Sequence, residues 1–188
     1  MPLTLRPLEH EDIEAATQCG LAAWMNAMSF AIETLQSDDF LRLEQAFHFS
    51  FLYHLTGEAS KDESLIVADL DGRIVGHCEC DIARGYLKNL WVAPDWQGQG
   101  IAGALLADAK EKLIKASHES LHLTALEGNS RALAFYEKEG LVQECRIMQF
   151  DPFLQRDMAT IVLRIPLDAD EATRQTAAGR RQKVEENQ

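Results

Sequence analysis

A mixed α/β fold, with a mostly antiparallel central sheet and helices on both faces, is what three features of the sequence predict. Two strand-like runs, Ser64–Leu70 and Arg73–Ile82, meet at Asp71-Gly72, a strong hairpin signal. A strand at Tyr86–Val92, a helix at Ile101–Ala116 and a strand at Leu121–Ala125 then form one βαβ unit. Antiparallel strands precede that unit, and a helix with further strands follows it. This order suits a mixed sheet better than a doubly wound parallel one.

The elements follow in chain order. Leu3–Leu8 alternates as a first strand with Pro7 near its end, and Glu9–Ala23 reads as a helix whose acidic start suits the helix dipole. Met25–Gln36 fits neither period. Within Asp38–Leu55, Ser37 and Asp38 supply cap chemistry, and Phe40, Leu41, Leu43, Phe47, Phe51 and Leu55 recur near helical spacing. In the helix from Ile101, the residues Ile101, Leu105, Ala109, Leu113 and Ala116 make one apolar stripe opposite a charged face. Asn129–Lys138 is a short helix ended by Gly140, and Leu141–Phe150 and Ala159–Pro166 are the last strands. Residues 1–167 thus form one domain. Residues 168–188 are polar and lack aromatics, as in a solvated helix or a tail.

Composition narrows the function classes. The chain has 188 residues, 46% hydrophobic and 26% charged, enough for one sizeable core. No leader pattern opens it and its most apolar stretch, Leu21–Ile32, is too short to span a bilayer, so a cytoplasmic protein without a membrane partner is expected. The net charge of −12 argues against nucleic acid. Residues 1–60 hold nine Asp or Glu against two Arg or Lys, which suits either solubility or an acidic wall that draws cationic amines. Cys19, Cys78, Cys80 and Cys145 have no zinc-like spacing and read as core residues; no metal is expected.

The run Gln97-Gly98-Gln99-Gly100-Ile101-Ala102-Gly103 carries the most information. It matches GxGxxG, with Glu127 at a distance suited to a ribose hydroxyl, and equally Q-x-x-G-x-A. Both mean an anion held by amides at a helix start, where glycines remove side chains from its path. Context separates them: in a dinucleotide unit the first glycine follows its strand almost at once, whereas Ala93 to Gln97 intervene here. No Gly-Lys-Ser/Thr follows, so a P-loop is excluded.

Asn89-Leu90-Trp91-Val92-Ala93-Pro94, followed by Gln97-Gly98-Gln99-Gly100-Ile101-Ala102 and Leu105-Leu106, resembles the central motif of the GCN5-related N-acetyltransferase family. Asn129-Ser130-Arg131-Ala132, Phe135-Tyr136, Gly140 and Leu141 resemble its second motif. The likeness is detailed from Leu65 to Leu141 and weaker before that. It implies the acyl-CoA N-acyltransferase fold, with a splayed strand pair, and acetyl-CoA as acetyl donor. Backbone groups of Leu90, Trp91 and Val92 would then bind the pantetheine arm. Amides of Gln97, Gly98, Gln99, Gly100, Ile101, Ala102 and Gly103 would hold the pyrophosphate, and Asn129 would contact the cofactor or cap its helix. Tyr136 matches the family's general acid, a phenol with a pKa of about 10 placed near the departing thiolate.

Two departures stand out. Family members carry a glutamate base at the positions that match Tyr86 or Thr124 here. On the neighbouring strand His77, Glu79 and Asp81 alternate with Cys78, Cys80 and Ile82, so the polar three should share a face, from which Glu79 could relay a proton through water. The expectation is direct attack of a primary amine, small or peptide-borne, on acetyl-CoA, with Val92 supplying an oxyanion amide. Helical residues between Trp24 and Leu55 would form one acceptor wall and a Phe150–Met158 loop the other. A non-catalytic acyl-CoA sensor is the alternative and a nicotinamide oxidoreductase the third reading. Monomer and homodimer both stay open.

Overall fold

The computed structural model describes residues 2–30, 35–57, 59–151 and 154–167; the polar stretch from residue 168 on lies outside them, as does part of Met25–Gln36. Seven strands form one sheet in the order β1-β2-β3-β4-β5-β7-β6: β1 is Leu3–Pro7, β2 Glu63–Leu70, β3 Arg73–Asp81, β4 Tyr86–Val92, β5 Ser120–Leu126, β6 Val142–Asp151 and β7 Arg156–Pro166. Every pairing is antiparallel except β4 with β5, as a single βαβ unit within a meander requires. The helices are α1 Ile13–Ala27, α2 Ser37–Leu55, α3 Ile101–Lys115 and α4 Ser130–Lys138.

The two faces of the sheet carry separate cores. On one, Ile101, Leu105, Leu106, Ala109 and Leu113 of α3 pack with Cys78, Cys80, Leu121, Leu123 and Leu163. On the other, Trp24 and Met28 of α1 and Leu43, Phe47 and Phe51 of α2 pack on Leu65 and Val67. Alternation along β2 accounts for the division, since Ile66 and Ala68 belong to the first core and Leu65 and Val67 to the second. Ala116 ends beyond α3 and is exposed rather than part of its stripe.

Several expectations need correction. The first helix starts with a 3-10 turn, His10–Asp12, and α1 runs on to Ala27, four residues past the expected end. Cys145 is exposed, because β6 is an edge strand that no helix covers. The Phe150–Met158 stretch is mostly ladder rather than loop, with Asp151 paired to Arg156. Two of the acidic residues at the front of the chain serve helix starts: Asp12 accepts the Glu9 amide at 2.8 Å and two bonds from Arg6, at 2.6 and 2.8 Å, and Asp39 accepts the Gln36 amide at 2.8 Å.

Close approach of α1 to α2 and β3 depends on one glycine, and that of β3 to β4 on another. A Cβ on Gly20 would lie 2.8 Å from both His77 Nε2 and Phe47, and one on Gly76 would lie 2.8 Å from the Trp91 carbonyl oxygen. The obstacle at Gly76 is backbone, which cannot swing aside. Gly76→Ala should therefore lower unfolding stability by about 1–3 kcal/mol, measured by urea denaturation; an unchanged midpoint would show that β3 and β4 can separate at no cost.

His77 is 1% exposed, edge-on to Phe47 and Phe51 at ring distances of 5.7 and 5.1 Å, and both its nitrogens lack a hydrogen-bond partner among the described residues. Burial lowers its pKa from 6.5 to about 4, against a weaker opposing pull from the Glu79 charge. In the unfolded chain this imidazole takes a proton near pH 6.5, whereas the folded form resists one until about pH 4. Stability should thus fall as pH drops through that window, by about 3 kcal/mol from this residue. In His77→Leu the fall between pH 7 and 4 should shrink by that amount in urea titrations; an undiminished fall would assign it to other groups.

Candidate active site

The site begins at an irregularity in β4. Along the β3–β4 ladder Glu79 faces Asn89 but Cys80 faces Leu87, so Lys88 is an extra residue on β4. Such a bulge bends its strand and sends two neighbouring side chains to one face. Lys88 and Asn89 both reach Glu79: Lys88 Nζ lies 2.5 Å from Oε1 and Asn89 Nδ2 donates to Oε2 at 2.8 Å. On the opposite edge β4 pairs with β5 only at Tyr86–His122 and Leu87–Leu123, and beyond the bulge the two strands part. The open wedge is the cleft.

The backbone of β4 faces that wedge. Ala93 N–H donates to the Val75 carbonyl at 2.9 Å, and antiparallel alternation then turns the amides of Leu90 and Val92 away from β3, toward the gap. The Val92 carbonyl accepts Gln97 Nε2 at 2.8 Å, while Gln97 Oε1 accepts Asn26 Nδ2 at 3.2 Å, which ties the glycine turn to β4 and α1. Gly98 and Gly100 have φ of 80° and 83°, a conformation that favours glycine. In α3 the first helical bond outside the turn runs from Ala104 N–H to the Gly100 carbonyl, 3.0 Å, and Gly100 has no side chain to cap the helix. The amides of Ile101, Ala102 and Gly103 are left without helical acceptors.

Two cavities fill the wedge and meet at Leu90, Trp91, Asn129, Ala132 and Tyr136. One, about 410 Å³, runs along the glycine turn and is flanked by Arg131 and Lys138. The residue types fit an anionic, extended ligand: free amides and positive dipole at a helix start, two cations against one carboxylate, Glu139, and an open strand edge. Asn129 caps α4 by accepting the Ala132 amide at 3.1 Å and also lines both cavities, so it can do both things expected of it.

The second cavity, about 480 Å³, lies between α1, α2, β4 and the β6–β7 hairpin. Glu79 lines it and accepts from four donors: Lys88, Asn89, Ser50 Oγ at 3.4 Å and His54 Nε2 at 3.3 Å. Burial pushes the Glu79 pKa upward, but the bonds from His54, Lys88 and Asn89 outweigh it and bring it from 4.5 to about 2. Tyr86 and Thr124 hydrogen-bond to each other at 2.8 Å on the same wall. Tyr136 is buried at the junction of the cavities; burial above all, with the neighbouring Cys78 and Tyr86, raises its pKa above that of a free phenol.

Of the residues singled out in the sequence, Leu90, Trp91, Val92, Gln97, Gly98, Gly100, Ala102, Gly103, Asn129 and Tyr136 line the turn-side cavity. Ile101 points its side chain into the α3 core, and Gln99 donates to the Asp95 carbonyl at 3.3 Å, so either would act through its amide. His77 and Glu79 lie under α2, whereas Asp81, at the end of β3, accepts the Arg84 amide at 3.1 Å and lines neither cavity. Glu127, the ribose candidate, pairs on the surface with Arg146 at 2.8 and 3.0 Å. Arg131 and Lys138 were missed; their place beside Asn129 on one helix was the only signal. None of the described Asp or Glu residues before residue 60 lines either cavity, so no acidic wall forms.

Residues 29–141 match the model of the acetyltransferase (GNAT) family. An acetyltransferase of Pectobacterium atrosepticum is 39% identical over 75 residues, 39% of this chain and 53% of that protein, so the match spans about half the length of such curated relatives. A GCN5-related N-acetyltransferase from Rhodopseudomonas palustris superposes with a TM-score of 0.71 at 18% identity, over 89% of this chain and 97% of that one. A PaiA N-acetyltransferase from Thermoplasma acidophilum, solved in complex with coenzyme A, gives 0.67 at 16% identity over 88% and 99%. The wedge between β4 and β5, the glycine turn before α3 and the matched segment that contains them lead to one conclusion: the chain belongs to the acetyltransferase (GNAT) family.

Proposed function

We propose that the protein is an acetyl-CoA-dependent N-acetyltransferase that acetylates a primary amine by direct attack. The observation that carries this is the parting of β4 from β5 after two residue pairs, which leaves the Leu90 and Val92 amides on a cleft continuous with the uncapped start of α3. The pantetheine arm would lie along Leu90–Val92 as a short added strand. Amides from Gln97 to Gly103, with Arg131 and Lys138 beside them, would take the phosphates. Coenzyme A bound to the Thermoplasma relative supports the same ligand class here.

Acetyl-CoA supplies an acetyl thioester, whose carbonyl oxygen the Val92 amide would polarise; the next peptide unit is fixed at both ends, its Val92 carbonyl by Gln97 and its Ala93 N–H by Val75. The amine nitrogen forms the new bond to the acetyl carbon as the bond to sulfur breaks. Tyr136, kept protonated by burial, would give its proton to the departing thiolate and be reprotonated by the proton that the new amide nitrogen sheds, carried by water. Glu79 stays ionised and receives the ammonium at the cavity floor. With a pKa of about 2 it is a weak base, so its share in proton removal is to order the water that carries the proton away.

Acetyl-CoA and CoA, but not NAD, should raise the melting temperature; at a hundred times its Kd a native-state ligand adds about 2.7 kcal/mol. Tyr136→Phe should then slow single-turnover acetyl transfer about a hundredfold or more with little change in acetyl-CoA affinity. Stabilisation by NAD alone would reverse the cofactor assignment, and an unchanged rate would remove Tyr136 from proton transfer.

Glu79→Gln should lower kcat/KM for the amine about tenfold or more through loss of a charge-assisted bond. The acid limb of the pH profile should stay where it is, since Glu79 is deprotonated well below it and the limb belongs to the amine. A limb that moves with this substitution would make Glu79 the titrating base.

A further inference from the structure

The cavity on the α2 side has a chemistry of its own. Its apolar lining includes Trp24 from α1, Phe47 from α2, Trp91 from β4, and Phe150 and Met158 from the hairpin, among polar groups such as Ser50, Asn89, Thr124 and Gln149. Phe47 stands edge-on to Trp91 at 6.2 Å and 84°, which fixes the Trp91 ring as a flat wall. Glu79, Lys88 and Asp151 are the charged residues that line it. The Glu79 charge faces Lys88 at 2.5 Å, and Asp151 accepts the Leu154 amide at 2.9 Å. Trp91, Phe150 and Met158 keep accessible apolar surface among polar neighbours such as Ser50, Asn89 and Gln149, and each charge beyond the first on a polycation would be moved from water onto such surface, which is costly.

The way the amine loses its proton points in the same direction. Tyr86 and Thr124 hydrogen-bond to each other on the wall, and Glu79 is held ionised by its donors, with its pKa brought to about 2. Removal from water disfavours an ammonium and lowers its pKa, whereas the ionised Glu79 acts the other way and binds it; once the nitrogen moves off Glu79 toward the thioester, the apolar lining favours the free amine. This works for an amine whose remainder is apolar. It fails for one that brings further charges, since these keep water in the cavity.

On the reading of the site as an acetyl-transfer centre, we propose that the acceptor is a monoamine whose primary amino group is borne by a large apolar group, aromatic above all. The amino group sits at the Glu79–Asn89 end and the ring lies among Trp24, Trp91 and Phe150. A free arylalkylamine and an amino-terminal aromatic residue share this chemistry.

The experiment is a panel of acceptors assayed with acetyl-CoA by thiol release, with each acetylated product identified by mass. Tryptamine and phenethylamine represent free amines, phenylalanine amide an amino-terminal residue, and spermidine, putrescine and lysine amide the polycations. At least one aromatic amine should exceed every polycation in kcat/KM by about tenfold or more. The order of phenethylamine and phenylalanine amide separates the two sources. Phe150 is 53% exposed, so Phe150→Ala should fold, raise KM for the aromatic acceptor several-fold and leave KM for acetyl-CoA unchanged. Preference for a polycation would overturn the proposal. So would stabilisation by acetyl-CoA without acetylation of any aromatic amine. Absence of both stabilisation and turnover would instead remove the acetyl-transfer reading, and this proposal with it.

Discussion

One extra residue in β4 governs most of what is distinctive in this molecule. In an unbroken ladder Lys88 and Asn89 would point to opposite faces. The bulge lets both reach Glu79, so a buried carboxylate gains an ammonium and an amide from consecutive positions on one strand. It also coincides with the end of the β4–β5 pairing after Leu87 and Leu123. A bulge bends its strand and increases the local twist, and here that opens the sheet where a ligand can use the freed amides.

The helices of the second core act as the outer wall of that opening. α1 and α2 pack over β3 through Phe47, Phe51 and His77, and the contact is close because residue 20 is glycine. Further along, the same helices turn Trp24, Met28, Leu43 and Phe47 toward the cleft. Packing and the cavity lining therefore draw on one apolar surface, and Phe47 belongs to both. His77 makes the arrangement sensitive to acid, since nothing beside it accepts or donates a hydrogen bond among the described residues.

The charge distribution is sorted by location rather than by sum. The chain is acidic overall, yet Arg131 and Lys138 flank the turn-side cavity. Asp12 and Asp39, near the front of the chain, are committed to helix starts and to Arg6, where they satisfy free amides or a guanidinium. Net charge thus says little about the cleft. What matters there is which few charged groups face inward and what already pairs with them.

Much of this could be read in the sequence because it rests on short-range patterns. The Asp71-Gly72 hairpin, the limits of β4, the start of α3 after two glycines and the Asn129 cap each depend on neighbouring residues, and each lies where it was expected. The family motif lies within the same local stretch, so the fold and the turn-side cavity came with it. The two walls of the second cavity come from the expected segments, Trp24–Leu55 and Phe150–Met158, but which side chains face it depended on contacts between residues distant in sequence. The Lys88 bulge breaks the period of two on which face assignments rest, Cys145 is exposed only because β6 is an edge, and Glu79 is held down by donors from α2 and β4 together. Local pattern determined the elements and the glycine turn, because backbone conformation is set by near neighbours. Only the tertiary structure decided which side chains line the acceptor side, because strand register and helix packing are properties of the assembled sheet.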